Sequence, residues 1–182
     1  MRHGACFMLG AVGVLLLTSG CVAIEAGHEG VMVEQPFFFG HGGVDPAPSK
    51  TGRVWVAPTT KVIEVDVRPL QYSEHFDIIS AENAPVSFDA FMIANVVESR
   101  SPELISRYGP NWYQNNVKEA FRTFVREEVQ RYPLFQLTTD PTTRTKLQDA
   151  IAREVQNKLI DKQNMPIRLN RVVVGSILPP KG

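Results

Sequence analysis

The stretch VSFDAFMIANVV, residues 86–97, decides the fold of this chain. Every second residue in it is apolar, which makes one face of an extended strand apolar over its whole length: Val86, Phe88, Ala90, Met92, Ala94 and Val96. Phe91 and Ile93 lie on the opposite face among polar residues. Because both faces are at least partly apolar, we expect a central strand of a sheet.

Strand patterns flank this stretch on both sides. The preceding segment Tyr72–Ile79 ends in a turn at residues 81–85, which predicts a hairpin with the central strand. The other predicted strands are Val31–Gln35, Arg53–Ala57, Val62–Arg68 and Ile167–Leu178. A turn at Pro58–Thr60 joins the second and third of these four as another hairpin, and the last returns to the sheet.

Between the central strand and the last strand, the apolar period changes to that of helices. Ser101-Pro102 marks the start of a short helix, and Asp140-Pro141 marks the start of a later one. Between them, a longer helix from Trp112 to about Arg131 has an apolar stripe: Val117, Ala120, Phe121, Phe124, Val125 and Val129. The order strands, helices, strand predicts an α+β domain with a mainly antiparallel sheet and helices packed against it.

The N-terminus has the layout of an export signal. Arg2 and His3 precede a stretch from Gly4 to Gly20 without a charged residue, and Glu25 follows. We therefore predict three regions: a signal peptide or membrane anchor at residues 1–20, a tether at 21–29 and a domain at 30–180. The domain is expected in the bacterial cell envelope, anchored to a membrane and facing away from the cytoplasm.

Cys21 is the candidate lipid-attachment residue. Leu15–Cys21 resembles a bacterial lipobox, in which a diacylglyceryl group with acyl chains such as palmitate is attached to the cysteine and the signal is removed before it. Thr18 departs from that pattern, which prefers an aliphatic residue three places before the cysteine. The alternative is an uncleaved transmembrane anchor, because Gly4–Ile24 has the roughly 20 uncharged residues needed to span a bilayer.

Composition narrows the class of partner. Nineteen basic and nineteen acidic residues cancel, which gives no electrostatic reason to expect nucleic-acid binding. The only cysteines are Cys6 and Cys21, so no disulfide is expected in the exported domain.

Most of the chain after residue 27 resembles the SPFH (Band 7) domain of stomatins, prohibitins and flotillins. The matching pieces, in order, are Gly30-Val31, Lys61–Pro69, Asn83–Ala90, Arg107–Tyr113, Val117–Tyr132, Met165–Ile167 and Ile177–Pro180. The resemblance implies a non-enzymatic, membrane-associated scaffold that associates with itself or with a membrane protein such as a membrane protease. Family members usually continue into a long coiled coil, whereas this sequence has no heptads after its paired prolines.

Motifs for chemistry are scarce. His28, His41 and His75 are scattered, and no nucleophile elbow occurs, so we expect no metal, no cofactor and no catalytic residue. Aromatic residues such as Trp55, Trp112 and Tyr113 are interpreted as core.

Phe37, Phe38 and Phe39 are candidates for contact with the membrane surface, because three consecutive phenylalanines cannot all point inward. Two functions stay open at this point. One is a membrane-anchored scaffold or accessory protein that organises membrane proteins or modulates their proteolysis. The alternative is a monomeric exported ligand-binding lipoprotein.

Overall fold

The computed structural model describes residues 20–36 and 42–177. The chain divides into two units, Met1–Asp66 and Val67–Gly182. The strands of the first unit are β1 (Gly20–Ile24), β2 (His28–Glu34), β3 (Gly43–Val44), β4 (Gly52–Val56) and β5 (Thr60–Asp66). β1 pairs with β4, and β2 lies between β3 and β5. All of these pairings are antiparallel.

The pairing within the first unit corrects one sequence prediction. The strands expected at 53–57 and 62–68 form as β4 and β5, but they are not a hairpin, because β4 pairs with β1 and β5 pairs with β2. The turn itself is present, since the Thr60 amide donates to the Ala57 carbonyl. β2 offers β5 a seven-residue register, from His28 opposite Asp66 to Glu34 opposite Thr60, and this long ladder determines the partner.

The start of the described chain also differs from expectation. Residues 21–29, which the sequence analysis assigned to a tether, contain most of β1 and the first residues of β2. The prediction of a first strand at 31–35 corresponds to β2, and β1 precedes it. β1 was missed because Gly20–Ile24 continues the uncharged export segment and therefore has no alternation of its own.

The second unit contains a three-stranded antiparallel sheet in the order β6 (Leu70–Ile79), β7 (Pro85–Val96) and β8 (Ile167–Val174). The predicted hairpin, the central position of β7 and the return of the last strand are confirmed. The six alternating residues quoted at the outset are all buried, at 0–3% exposure. This face of the sheet, which we call the inner face, is the base of the core.

Helices connect β7 to β8. They are α1 (Ser101–Tyr108), α2 (Lys118–Val129), α3 (Leu134–Thr139) and α4 (Pro141–Glu154), with π-helical segments Tyr113–Val117 before α2 and Val155–Asp161 after α4. The expected helix starts at 101 and 140 are confirmed, and the Asp140 carboxylate accepts from the Thr142 amide at 2.9 Å. α3 was not predicted.

The helices pack on the inner face of the sheet. Phe121 of α2 meets Phe76 of β6 edge to face, with ring centroids 6.4 Å apart, and Phe76 stacks on Phe88 of β7. Leu147 and Ile151 of α4 are fully buried. The α+β class with an antiparallel sheet and helices packed against it is therefore confirmed.

Candidate functional site

The outer face of the β1–β4 ribbon carries the predicted lipid-attachment residue. Cys21 lies directly opposite Trp55, so the two side chains are neighbours on the same face of the pair. Ala23 lies opposite Arg53 on that face, two residues further along. All four residues are exposed, and Trp55 is 73% exposed. We call these four residues the ribbon face.

Strand alternation explains why Trp55 points outward. Its neighbours Val54 and Val56 lie on the opposite side of β4, and Val56 is buried, as is Ile24 of β1. Burial of these aliphatic side chains therefore directs the indole to solvent. The interpretation of Trp55 as a core residue is wrong.

The interpretation of Trp112 and Tyr113 as core residues is confirmed. Both are buried, and Tyr72 stacks on Tyr113 with ring centroids 4.1 Å apart. Trp55 therefore differs from Trp112, the other tryptophan of the chain, because it lies on the exposed side of its strand.

The ribbon face combines three groups that suit a lipid–water boundary. The Cys21 thiol is free and exposed, the Trp55 indole beside it is amphipathic, and the Arg53 guanidinium can bind phosphate. Tryptophan is enriched at the level of lipid headgroups, and arginine there meets anionic phosphates. An acyl chain on Cys21 would bring its neighbour Trp55 to that level.

Other predicted features of membrane attachment lie outside the described residues. These are the export segment 1–19, including Thr18 of the lipobox-like stretch, and the three phenylalanines at 37–39. Across residues 20–36 and 42–177, no helix has both the length and the apolar character needed to cross a bilayer.

A buried carboxylate joins β6 to the start of α2. Glu74 is 6% exposed and accepts a hydrogen bond from the Tyr113 hydroxyl at 3.2 Å and one from Arg122 Nη1 at 3.0 Å. Lys118 Nζ lies 3.5 Å from the carboxylate. Burial, followed by the negative charge of Glu74, raises the pKa of Tyr113 well above its usual range. Both oxygens of the Glu74 carboxylate are therefore occupied by these three side chains. We call this group the Glu74 cluster, and it is suited to holding α2 on the sheet.

A second polar cluster lies on the outer face of the β6–β7 hairpin. His75 Nδ1 is 2.8 Å from Asp89 Oδ1, and its Nε2 is 3.5 Å from Ser87 Oγ and 3.5 Å from Asp77 Oδ1. This His75 cluster was not predicted, because it forms only when the hairpin register places His75 opposite Asp89.

The His75 cluster has the residue types of a serine-nucleophile triad but not its setting. Its side chains lie on an open strand surface, with His75 60% and Asp89 55% exposed. The 3.5 Å separation of Ser87 from His75 is long for activating a hydroxyl. The arrangement is better suited to holding charge at one end of the sheet than to acyl transfer.

The His75 cluster yields a titration prediction. The hydrogen bond from His75 to Asp89, helped by the charge of Asp77, raises the pKa of His75 above its usual value of about 6.5. The folded chain therefore holds the proton of His75 more tightly than the unfolded chain does. The contribution of His75 to the stability of the fold is complete below about pH 6.5 and is lost as the pH rises through the raised pKa. NMR titration of His75 should show this raised pKa.

The matched variant for that titration is Asp89→Asn, which should return the pKa of His75 toward its usual value. A His75 pKa that is unchanged in Asp89→Asn would contradict the assigned hydrogen bond.

Within the part of the chain that the structure describes, no group of three or more histidine, cysteine or acidic side chains is placed to hold a metal ion. The described residues line at least two depressions. One, of about 290 Å³, is lined by Glu34 and residues 42–46, and one of about 260 Å³ lies between Asn95, Val97, Glu98 and Arg168. Both are small beside the mostly apolar pockets of about 300–1,000 Å³ that bind small ligands.

Comparison with known proteins identifies the family to which this chain belongs. No curated protein sequence matches this chain significantly. The family model described as SPFH domain / Band 7 family matches residues 22–182, which includes all strands of the second unit and the helices between them. This match covers far more than half of the chain, and it agrees with the antiparallel α+β fold described above. The chain therefore belongs to the SPFH domain / Band 7 family.

Proposed function

We propose that this protein is a membrane-anchored scaffold of the bacterial cell envelope that organises membrane proteins or modulates their proteolysis through protein–protein contacts. Its family supports the general kind of role, because SPFH proteins are associated with membrane scaffolds, are generally non-enzymatic and typically self-associate. The domain faces away from the cytoplasm in this proposal. Its partners are membrane lipid, further copies of itself and membrane proteins such as a membrane protease.

The observation that carries the proposal is the ribbon face. The uncharged segment that begins at Gly4 runs through Ile24, so it includes β1, in which the exposed Cys21 follows Gly20. A transmembrane anchor over Gly4–Ile24 would include the residues of β1, whereas an acyl chain on Cys21 is attached to β1 itself. Trp55 and Arg53 therefore lie next to the bilayer surface.

The three phenylalanines give this unit a second contact with the membrane in our proposal. Residues 37–39 lie in the connection between β2 and β3, in the same unit as the ribbon face. Phenylalanine side chains inserted at the surface would add apolar burial, at roughly 25 cal/mol for each Å² removed from water.

The proposal is tested first by the mass of the subunit extracted from membranes. The native subunit should begin at Cys21 and carry added acyl mass, whereas Cys21→Ala should remain an unmodified precursor beginning at Met1. Cys6→Ala is the matched control, because it removes the other cysteine of the chain and should leave processing intact. A native subunit that begins at Met1 without added mass would refute lipidation and leave the transmembrane anchor.

Trp55 provides the second test, because the chain has only two tryptophans and the other, Trp112, is buried. In proteoliposomes of the full chain carrying Trp112→Phe, brominated lipids should quench most of the remaining fluorescence. In the Trp55→Phe variant, the emission of Trp112 should be little changed. Quenching of Trp55 by aqueous iodide but not by brominated lipid would contradict the placement of the ribbon face.

Native mass spectrometry of the extracted protein tests the scaffold role itself. Complexes of several copies, or complexes with a second membrane protein, are the expected result. A lipidated monomer without a protein partner would instead favour the alternative function, a monomeric ligand-binding lipoprotein.

A further inference from the structure

The outer face of the β6–β7–β8 sheet is the face opposite the helices of its unit. Strand register places its side chains in rows that run across the sheet. From one end to the other, these rows are Asp77 with Ser87, His75 with Asp89, Ser73 with Phe91 and Val173, Gln71 with Ile93 and Arg171, and Asn95 with Arg168. We call this surface the outer sheet face.

Charge is separated along the outer sheet face. One end is acidic, with Asp77 76% exposed and Asp89 55% exposed, and His75 is the only ion-pair partner of both within the described residues. The other end is basic: Arg168 and Arg171 are exposed, and neither forms an ion pair within residues 20–36 and 42–177. Among the side chains of these rows, two acidic ones thus lie at one end and two basic ones at the other, where the exposed Glu98 also lines the depression beside Arg168.

The middle of the outer sheet face is apolar. Phe91, Ile93 and Val173 lie side by side there, and each keeps part of its surface in contact with solvent. The helices of the unit cannot cover them, because they pack on the inner face against Phe76 and its neighbours. An apolar centre between polar ends is the usual anatomy of a protein–protein interface.

We propose that the outer sheet face binds the same face of a second copy of this chain, related by a two-fold axis near Phe91. When this axis lies between the two faces and runs across the strands, the isologous contact places each row opposite the row equally far on the other side of the axis. Asp89 and Ile93 lie two rows apart, about 13 Å along the strand. The two-fold axis therefore brings Asp89 toward Arg171 of the second copy and Asp77 toward Arg168 of that copy, and the apolar centres meet.

The charges favour a second copy over other partners. A nucleic acid or an anionic lipid surface would require a single, positive sign, whereas this face carries two acidic and two basic groups in an ordered arrangement. The whole chain is also neutral, with 19 basic and 19 acidic residues, so two copies do not repel each other at long range. This inference assigns a surface to the self-association in the proposed function and rests on that function.

The test is a charge-reversal pair made in the full chain and extracted from membranes in a mild detergent. One variant carries Arg168→Glu and Arg171→Glu, and the other carries Asp77→Arg and Asp89→Arg. Each variant alone places like charges together at both ends of the contact, so self-association measured by sedimentation velocity should weaken at least ten-fold. An equal mixture of the two restores opposite charges at both ends and should form one-to-one pairs at close to the native affinity.

The control carries Arg126→Glu and Lys146→Glu, an equal change of charge on exposed positions of α2 and α4, and should associate like the native chain. Native association should also weaken as salt is raised. The inference is overturned if the native chain is monomeric, if either reversal leaves association unchanged, or if the mixture fails to recover it. The inference also fails if the charge-reversal variants lose a different protein that is bound to the native chain, because the partner of the outer sheet face is then not a second copy.

Membrane attachment is measured on the same samples, so that the two proposals can fail separately. All the charge-reversal variants should sediment with membranes and carry the acyl mass of the native chain, because none of the changes lies in the first unit. Association of the native chain that neither reversal weakens refutes only the outer sheet face, whereas a native chain that is attached but monomeric also counts against the self-association in the proposed function. Absence of acyl mass from every variant and from the native chain refutes lipidation and leaves the test of association intact.

Discussion

Phe121→Ala is expected to lower the free energy of unfolding by about 3–5 kcal/mol. Phe121 is fully buried in α2, and its ring meets the ring of Phe76 on the inner face of the sheet. Truncation leaves a cavity between the helix and the sheet and removes an aromatic contact, and these two losses add. A loss of this size is a large fraction of the 5–15 kcal/mol that stabilises a typical domain.

Urea unfolding of the full chain in a mild detergent measures this loss. With Trp55→Phe as the background, the fluorescence of buried Trp112 reports the second unit alone. Phe135→Ala is the matched control: this phenylalanine lies in α3 and is 72% exposed, so its truncation should change the free energy by no more than about 0.5 kcal/mol. Equal midpoints for the two variants would show that α2 does not form the core contact.

Glu74→Ala is expected to lower the free energy of unfolding by about 2–3 kcal/mol. The substitution leaves the buried hydroxyl of Tyr113 without its acceptor and removes the hydrogen bond from Arg122. Arg122 and Lys118 keep about a third of their side-chain surface in water, so they can be hydrated after the change, and the loss falls below that of a fully buried ion pair.

The same urea measurement in the Trp55→Phe background tests the Glu74 cluster, with Glu82→Ala as the control. Glu82 is exposed in the β6–β7 turn, and its removal should be nearly neutral. A double-mutant cycle with Arg122→Ala isolates the ion pair, and a coupling energy near zero would show that the two side chains act independently.

Alkaline titration gives a second measure of the Glu74 cluster. The raised pKa of Tyr113 means that the unfolded chain loses the phenolic proton first, so stability should fall as the pH rises above about 10. Glu74→Ala should lower the pKa of Tyr113 only in part, because burial is the larger cause and remains. The tyrosinate absorbance that is lost in Tyr113→Phe identifies the signal.

Local periodicity predicted most of the second unit. The period of two in residues 86–97 determined both that a strand forms and which of its faces is buried, because alternate side chains of any strand lie on opposite sides. Pro102 at the first helix, and the Asp140 cap with Pro141 at the later one, located helix starts for a similar reason, since they act through the adjacent backbone. Ser101 itself lies inside the helix, and the N-cap position is Arg100. These properties depend only on near neighbours in the chain.

Candidate functional residues were harder to predict. The sequence pointed to Cys21 as a lipid-attachment residue, but it did not show that Trp55 lies opposite it, because 34 positions separate the two strands and β4 had been expected to pair with β5. The His75 cluster was missed for a related reason: it exists only when the hairpin register places Asp89 beside His75.

The sequence by itself thus determined the kind of each main element, the buried face of the central strand and the α+β class. It also showed a resemblance to the SPFH (Band 7) family, and the family match over residues 22–182 then established membership. Only the tertiary structure decided that β1 joins β4, that Trp55 points to solvent, and that acidic and basic side chains lie at opposite ends of the outer sheet face. The physical reason is that segments far apart in the sequence compete to pair with the same strand. Its outcome depends on the length of each ladder and the burial it achieves, which no local pattern records.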